Sequence, residues 1–172
     1  MSPDCTGDET SPASRLCISC GLCCRGIIFN RAALKPEERG LAMKHGLEYF
    51  SNGDEGFAFS LPCRLFREEG CPIYLERLSA CKRYKCNLLK RVISGETALN
   101  EGLIIVSKTR SIMDSIEQIS DHDGQMDLRQ KVQKLLNLQY KNQINPKVSS
   151  ALLKDIESLY IILHQCFDER AG

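Results

Sequence analysis

The chain has 172 residues, 42% of them hydrophobic and 26% charged, with six prolines and ten cysteines, a length and makeup suited to one compact soluble domain with its own core. A net charge of +1 and a pI of about 7.5 speak against wrapping nucleic acid or sitting on an anionic membrane. The longest unbroken apolar run, residues 159–163, falls far short of the roughly 20 residues that a spanning helix needs, so no segment is expected to cross a bilayer.

Residues 1–14 are rich in Ser, Thr, Asp, Gly and Pro and read as a disordered tail that includes Cys5. The stretch is acidic where a signal peptide is basic and then apolar, so export by that route is not expected and the cytoplasm is. GIIF, residues 26–29, has the β-branched character of a short strand. KPEERGLAMKHG reads as a short helix with Pro36 in its first turn and Gly46 as its stop. SNGDEG, residues 51–56, is a turn cluster, FAFSLPCRLF after it alternates well enough for a strand or two, and REEGCPIY turns again. Residues 81–93, CKRYKCNLLKRVI, fit a basic helix or the approach to one, ended by Ser94-Gly95.

The remainder has long helical periodicity. Ile105, Ile112, Ile116 and Ile119 space as one apolar face, Leu128, Val132 and Leu135 as a second, and Val148, Leu152, Ile156, Leu159 and Leu163 as a third. Asn145 and Pro146 mark the start of the last helix as its cap and first residue, and SDHDGQ and KNQIN separate the helices. The predicted fold is α+β and mainly helical. A cysteine-rich metal-binding region with short strands, residues 15–95, packs on about three helices within 96–172, and the two form a single domain because the front has too few apolar side chains for a core of its own.

CISCGLCC, residues 17–24, packs four thiols into eight positions, and Cys63, Cys71, Cys81 and Cys86 follow, while Cys5 and Cys166 stand apart. In a reducing compartment such a cluster reads as a ligand set rather than a disulfide framework. Thiolates are the soft donors that zinc and iron-sulfur clusters select, and CxxC aims two sulfurs into one site across a tight turn. Gly21 permits a left-handed backbone that turns amide N–H groups toward the sulfurs, and Cys23 extends the motif to CxxCxxC, the spacing used for three corners of a 4Fe-4S cubane. Cys23 and Cys24 point to different sides in an extended chain or a helix, so they need not serve one metal. Cys81 and Cys86 lie about 140° apart around a helix and cannot converge from within one: either the helix begins between them or they serve different sites. Eight thiols suffice for two four-sulfur sites or for one multinuclear centre, and the pairing is open. The basic residues from Arg64 to Arg91 outnumber the acidic ones there and offset thiolate charge.

CISCGLCC, Cys63, GCPIY at residues 70–74, Arg77 and CKRYKC at 81–86 together resemble the YkgJ-type cysteine-cluster family, described as a zinc- or iron-chelating domain, over roughly residues 17–90. The resemblance implies metal or iron-sulfur binding through Cys17, Cys20, Cys23, Cys24, Cys63, Cys71, Cys81 and Cys86. Leu78 and Lys85 stand where that pattern usually has proline, a change in loop stiffness more than in ligation. The cluster is also similar to one in the much longer flagellin lysine-N-methylases, which would imply a methyl-transfer association.

The other candidates have plainer readings. His45 sits near a helix end, His122 in the turn Asp121-His122-Asp123, His164 in a helix, Cys166 near that helix's apolar face, and each reads as structural. Cys24 is conceivable as a spare reactive thiolate. Neither a Ser/His/Asp arrangement, a P-loop nor GxGxxG occurs. The expected function is metal binding, with zinc or an iron-sulfur cluster as cofactor, metal ions as partners, and a protein partner left open. The alternatives are an iron-centre enzyme or subunit in redox or methyl-transfer chemistry, and a zinc-ribbon-like nucleic-acid adaptor using the run from Cys81, whose single aromatic tells against it.

Overall fold

Ser11 opens the first helix by accepting the Ser14 amide on its side chain at 3.2 Å, and Pro12 fills the first helical position. Helix α1, Pro12–Cys20, therefore begins within the stretch that composition marks as tail, and it buries Ser14 and Leu16. The computed structural model describes residues 9–53, 56–119, 128–140 and 150–167. Cys5, His122 with its neighbours Asp121 and Asp123, Val148, Asn145 and Pro146 lie outside the described residues, as do SDHDGQ and KNQIN.

The first strand falls later than expected. GIIF runs through bends, because Ile27 is buried in a cluster of helical side chains and Ile28 packs against it; its β-branched residues are used for burial rather than for pairing. Strand β1 is Arg31–Leu34. It pairs antiparallel with β3, Phe57–Ser60, so that Arg31 faces Ser60 and Leu34 faces Phe57. Strand β2, Phe50–Ser51, pairs with the other edge of β3, in the order β1-β3-β2. The link between β2 and β3 turns at Gly53 within the expected turn cluster, of which residues 54 and 55 are not described.

Between β1 and β2 a 3-10 turn, Pro36–Glu38, leads into α2, Arg39–Lys44, which stops at His45 and Gly46 as the sequence indicates. The Glu38 carboxylate accepts from the Ser79 amide at 2.6 Å and from its hydroxyl at 3.1 Å. It thereby ties this turn to α3, Ser79–Arg83. The basic run from Cys81 is two helices rather than one. Tyr84 is extended, with ψ 127°, and Cys86 is the N-cap of α4, Asn87–Ser94, with its sulfur accepting the Leu89 amide at 3.4 Å. Gly95 closes α4.

Three longer helices follow: α5 (Leu99–Ile119), α6 (Leu128–Tyr140) and α7 (Ser150–Ile162), which continues as a π-helical turn, Leu163–Phe167. Their buried positions follow the predicted faces. Ile112 and Ile116 on α5, Val132 on α6, and Leu152, Ile156 and Leu159 on α7 are buried, with Val106 and Met113 joining on α5 and Ile105 and Leu163 packed at the edge. The side chains of Ile119, Leu128 and Leu135 lie outside the description. Helix α1 packs along α5 and α4, and α7 along α5. The result is two apolar clusters. A large one is built on the helices around Leu22, Met113, Ile116, Ile156 and Leu159, and a small one of Leu34, Ala42, Leu47, Phe59 and Leu78 lies beneath the sheet. Among the described residues no helix is long and apolar enough to cross a membrane.

Candidate metal centre

The thiols arrive from elements far apart in the chain. Cys17 and Cys20 lie on α1, Cys23 and Cys24 in the turn after it, Cys63 just beyond β3, Cys71 in the following turn, Cys81 on α3 and Cys86 at the cap of α4. All eight line one cavity of about 300 Å³, and its other walls are largely apolar: Leu22, Phe59, Phe66, Tyr84, Val106 and Phe167. No disulfide joins any of the nine described cysteines. The sulfurs ring the chamber rather than meeting at a point, and among the described residues no three His, Cys, Asp or Glu side chains form a ready ion-sized cage. A water molecule occupies about 30 Å³ of liquid, so the chamber has room for more than one small ion.

The local backbone explains how the motif presents its sulfurs. Gly21 ends α1 in the left-handed region with φ 65°, as the sequence suggests, and this turns the Leu22 amide onto the Cys20 sulfur. The Ile73 amide does the same for Cys71, and the Leu88 and Leu89 amides for Cys86. Such bonds favour the thiolate over the thiol. The turn carrying Cys23 and Cys24 is anchored twice as it leaves the motif. Arg25 reaches Asp114 and Glu117 of α5 at 2.7 and 2.8 Å, and the Cys63 amide donates to the Cys24 carbonyl at 2.7 Å.

Burial dominates the electrostatics. It pushes the Cys20 thiol up to about 12 and Cys86 up to about 11 from 9.0, with neighbouring thiols adding to the rise. Cys81 is likewise raised to about 12 by burial and then by Cys63 and Cys71. Cys23, Cys24 and Cys71 move in the same direction, again chiefly through burial. Without a cation these groups hold their protons; a metal ion supplies the positive charge that makes the thiolates stable there. Two arginines supply part of it. Arg77, 7% exposed, stacks over the Tyr74 ring at 3.7 Å, donates to the Tyr74 carbonyl at 2.9 Å, and lowers Cys71 and Cys81. Arg110 of α5 donates to the Ser19 carbonyl at 2.9 Å and lowers Cys20. The Tyr74 hydroxyl lies beside Cys17 and Ser14, and burial raises it to about 12.

Of the basic residues around the downstream cysteines, Arg77 lines the chamber, whereas Arg64 pairs with Glu48 and Arg67 donates to the Arg64 and Phe66 carbonyls. Arg110, Phe66 and Phe167 carry no motif and escape a reading by spacing, whereas Tyr74 lies within GCPIY; the Tyr84 hydroxyl holds the Phe167 carbonyl at 2.6 Å. His45 ends α2 and His164 is exposed, neither of them on the chamber. Cys166 packs at the edge of the helical cluster, and burial raises its thiol.

A small, mainly helical α+β protein whose thiol-lined chamber gathers distant cysteines is, in class, a cysteine-cluster metal-binding protein. The chain belongs to the CxxCxxCC family: that family's model, described as "Putative zinc- or iron-chelating domain", matches residues 16–103 and so takes in all eight chamber cysteines. Neither the curated proteins nor the solved structures give a match.

Proposed function

We propose that the protein holds zinc or an iron centre through Cys17, Cys20, Cys23, Cys24, Cys63, Cys71, Cys81 and Cys86, and that this centre organises the front of the molecule. The observation that carries the reading is the convergence of all eight sulfurs on one chamber that is otherwise apolar. The donor set fits the group. It consists of soft thiols, several of them receiving backbone N–H bonds, with guanidinium groups nearby to offset the anionic charge of a metal held by thiolates. When bound, the metal supplies the charge that keeps buried thiolates ionised, and with it folding free energy. The residues of this chain position the sulfurs, exclude water from most of the wall and balance the charge. The free state of the cysteines supports a reducing compartment such as the cytoplasm.

The test is anaerobic purification followed by metal analysis and an absorption spectrum. A colourless protein containing zinc assigns a thiolate-bound ion, and a brown one with acid-labile sulfide assigns an iron-sulfur cluster. A protein that takes up neither metal under reducing conditions overturns the proposal.

A further inference from the structure

The elements that carry the sulfurs fall into two groups. Cys17 and Cys20 lie on α1, which packs on α4, whose cap is Cys86, and Cys23 follows in the turn after α1. Cys63 follows β3, and Cys81 lies on α3, which packs on β1 of the same sheet. The electrostatic neighbours agree: Cys20, Cys17 and Cys86 act on Cys23 ahead of Cys24, and Cys63, Cys81 and Cys71 act on Cys24 ahead of Cys17. Adjacent residues in the turn thus look into different neighbourhoods, as side chains on successive residues do.

The packing divides at the same place. Cys20 and Cys86 lie against the helical cluster, and Cys63 against the sheet cluster. Cys63 is in turn bonded through its amide to Cys24. Each neighbourhood has its own cation: Arg110 acts on Cys20, and Arg77 on Cys71 and Cys81. A tetrahedral thiolate site uses four sulfurs, and the eight divide into four and four.

Building on the metal-binding reading, we propose that the chamber holds two centres, one bound by Cys17, Cys20, Cys23 and Cys86 on the helical core and the other by Cys24, Cys63, Cys71 and Cys81 on the sheet core. Cys17 borders both sets and is assigned to the first because it shares α1 with Cys20. The division accounts for the paired Cys23-Cys24: a single peptide unit delivers one ligand to each centre and fixes the distance between them.

Cobalt(II) titration of the full, metal-free chain under anaerobic conditions reads the number of sites through sulfur-to-cobalt charge-transfer absorption. The wild type is expected to saturate at two equivalents. Cys86→Ser and Cys71→Ser should each saturate at one, with about half the absorbance, and the double variant should give none. Wild-type saturation at one equivalent, or loss of all cobalt in either single variant that keeps its helical circular dichroism, overturns the division while leaving metal binding intact. Absence of any charge-transfer band in the wild type overturns both readings. Should a variant fail to fold, cadmium-113 NMR of the wild type decides: two tetrathiolate resonances support two centres, and a single one refutes them.

Discussion

At Gly21 the backbone has φ 65°, and the Phe66 ring lies where a side chain would start, so that an added Cβ would overlap Phe66 Cζ. Gly21→Ala therefore meets two separate penalties. The left-handed conformation costs an L-residue roughly 1–2 kcal/mol, and overpacking adds about 1–3 kcal/mol. Chemical denaturation should show a loss of about 3 kcal/mol together with weaker metal retention. Gly21→Ala/Phe66→Ala should recover the steric part relative to the expectation for independent changes; strict additivity in that double-mutant cycle would remove Phe66 from the explanation. The role of Gly21 is legible in CISCGLCC because the turn that follows CxxC needs it. The partner ring is not, since Phe66 is brought in by a loop after Cys63 whose path no local pattern encodes.

Titration of the same buried thiols gives a second expectation at this scale. In the metal-free protein Cys20, Cys81 and Cys86 have values raised from 9.0 to about 12, about 12 and about 11. The folded state then keeps protons that the unfolded chain releases, so its stability is fully present below pH 9 and falls as pH rises through the range 9 to 12. The metal-bound form has the opposite dependence, because its ligands are already ionised and protons compete for them as pH falls. Urea midpoints measured from pH 6 to 11, with and without metal, should therefore slope in opposite directions. A metal-free midpoint that stays flat above pH 9 would contradict the burial of these groups.

Among the elements, α4 shows how one residue serves two purposes. Cys86 caps the helix by accepting the Leu89 amide and also faces the chamber. Serine is a good N-cap and a poor ligand for a soft metal, whereas alanine is neither. Cys86→Ser should accordingly lose the one metal it helps to bind while keeping α4, and Cys86→Ala should lose the same metal plus about 1 kcal/mol of helix capping. Comparing the metal-free forms isolates the cap; equal stability of the two would mean that the cap contributes nothing. The periodic faces of α5 and α7 are readable because 3.6-residue spacing is a direct image of burial. The break between α3 and α4 is less so. Cys81 and Cys86, about 140° apart around a helix, need a helix boundary between them or separate sites, and the structure supplies the boundary at Asn87. Strand placement fails at GIIF because β-branched residues suit any buried surface, and here that surface is helical. Leu78, standing where the family pattern usually has proline, is buried in the sheet cluster.

For the whole molecule the decisive quantity is how unequally apolar burial is shared. The sheet cluster consists of Leu34, Ala42, Leu47, Phe59 and Leu78, of which Ala42 contributes little side chain, while the helical cluster draws on α1, α4, α5, α6 and α7. Even with the partly buried Leu41, Tyr49, Phe57, Leu61 and Leu65 around it, the sheet cluster is much the thinner of the two, and small cores of that kind depend on a metal or a partner for stability. The chamber is lined from both clusters, and α3 against β1 is the main direct packing of the sheet on a helix. Metal removal should consequently release the front first. In hydrogen exchange followed by mass spectrometry, chelator should strip protection from β1, β3 and α3 by at least tenfold while the amides in the middle of α5 and in α7 keep most of theirs, because the latter are held by a core that does not depend on sulfur ligation. Cys166→Ser should retain the wild-type pattern, its sulfur lying outside the chamber. Uniform loss across both clusters would show that they unfold as one cooperative unit, and earlier loss in α5 than in β3 would place the metal's stabilising effect on the helical side instead.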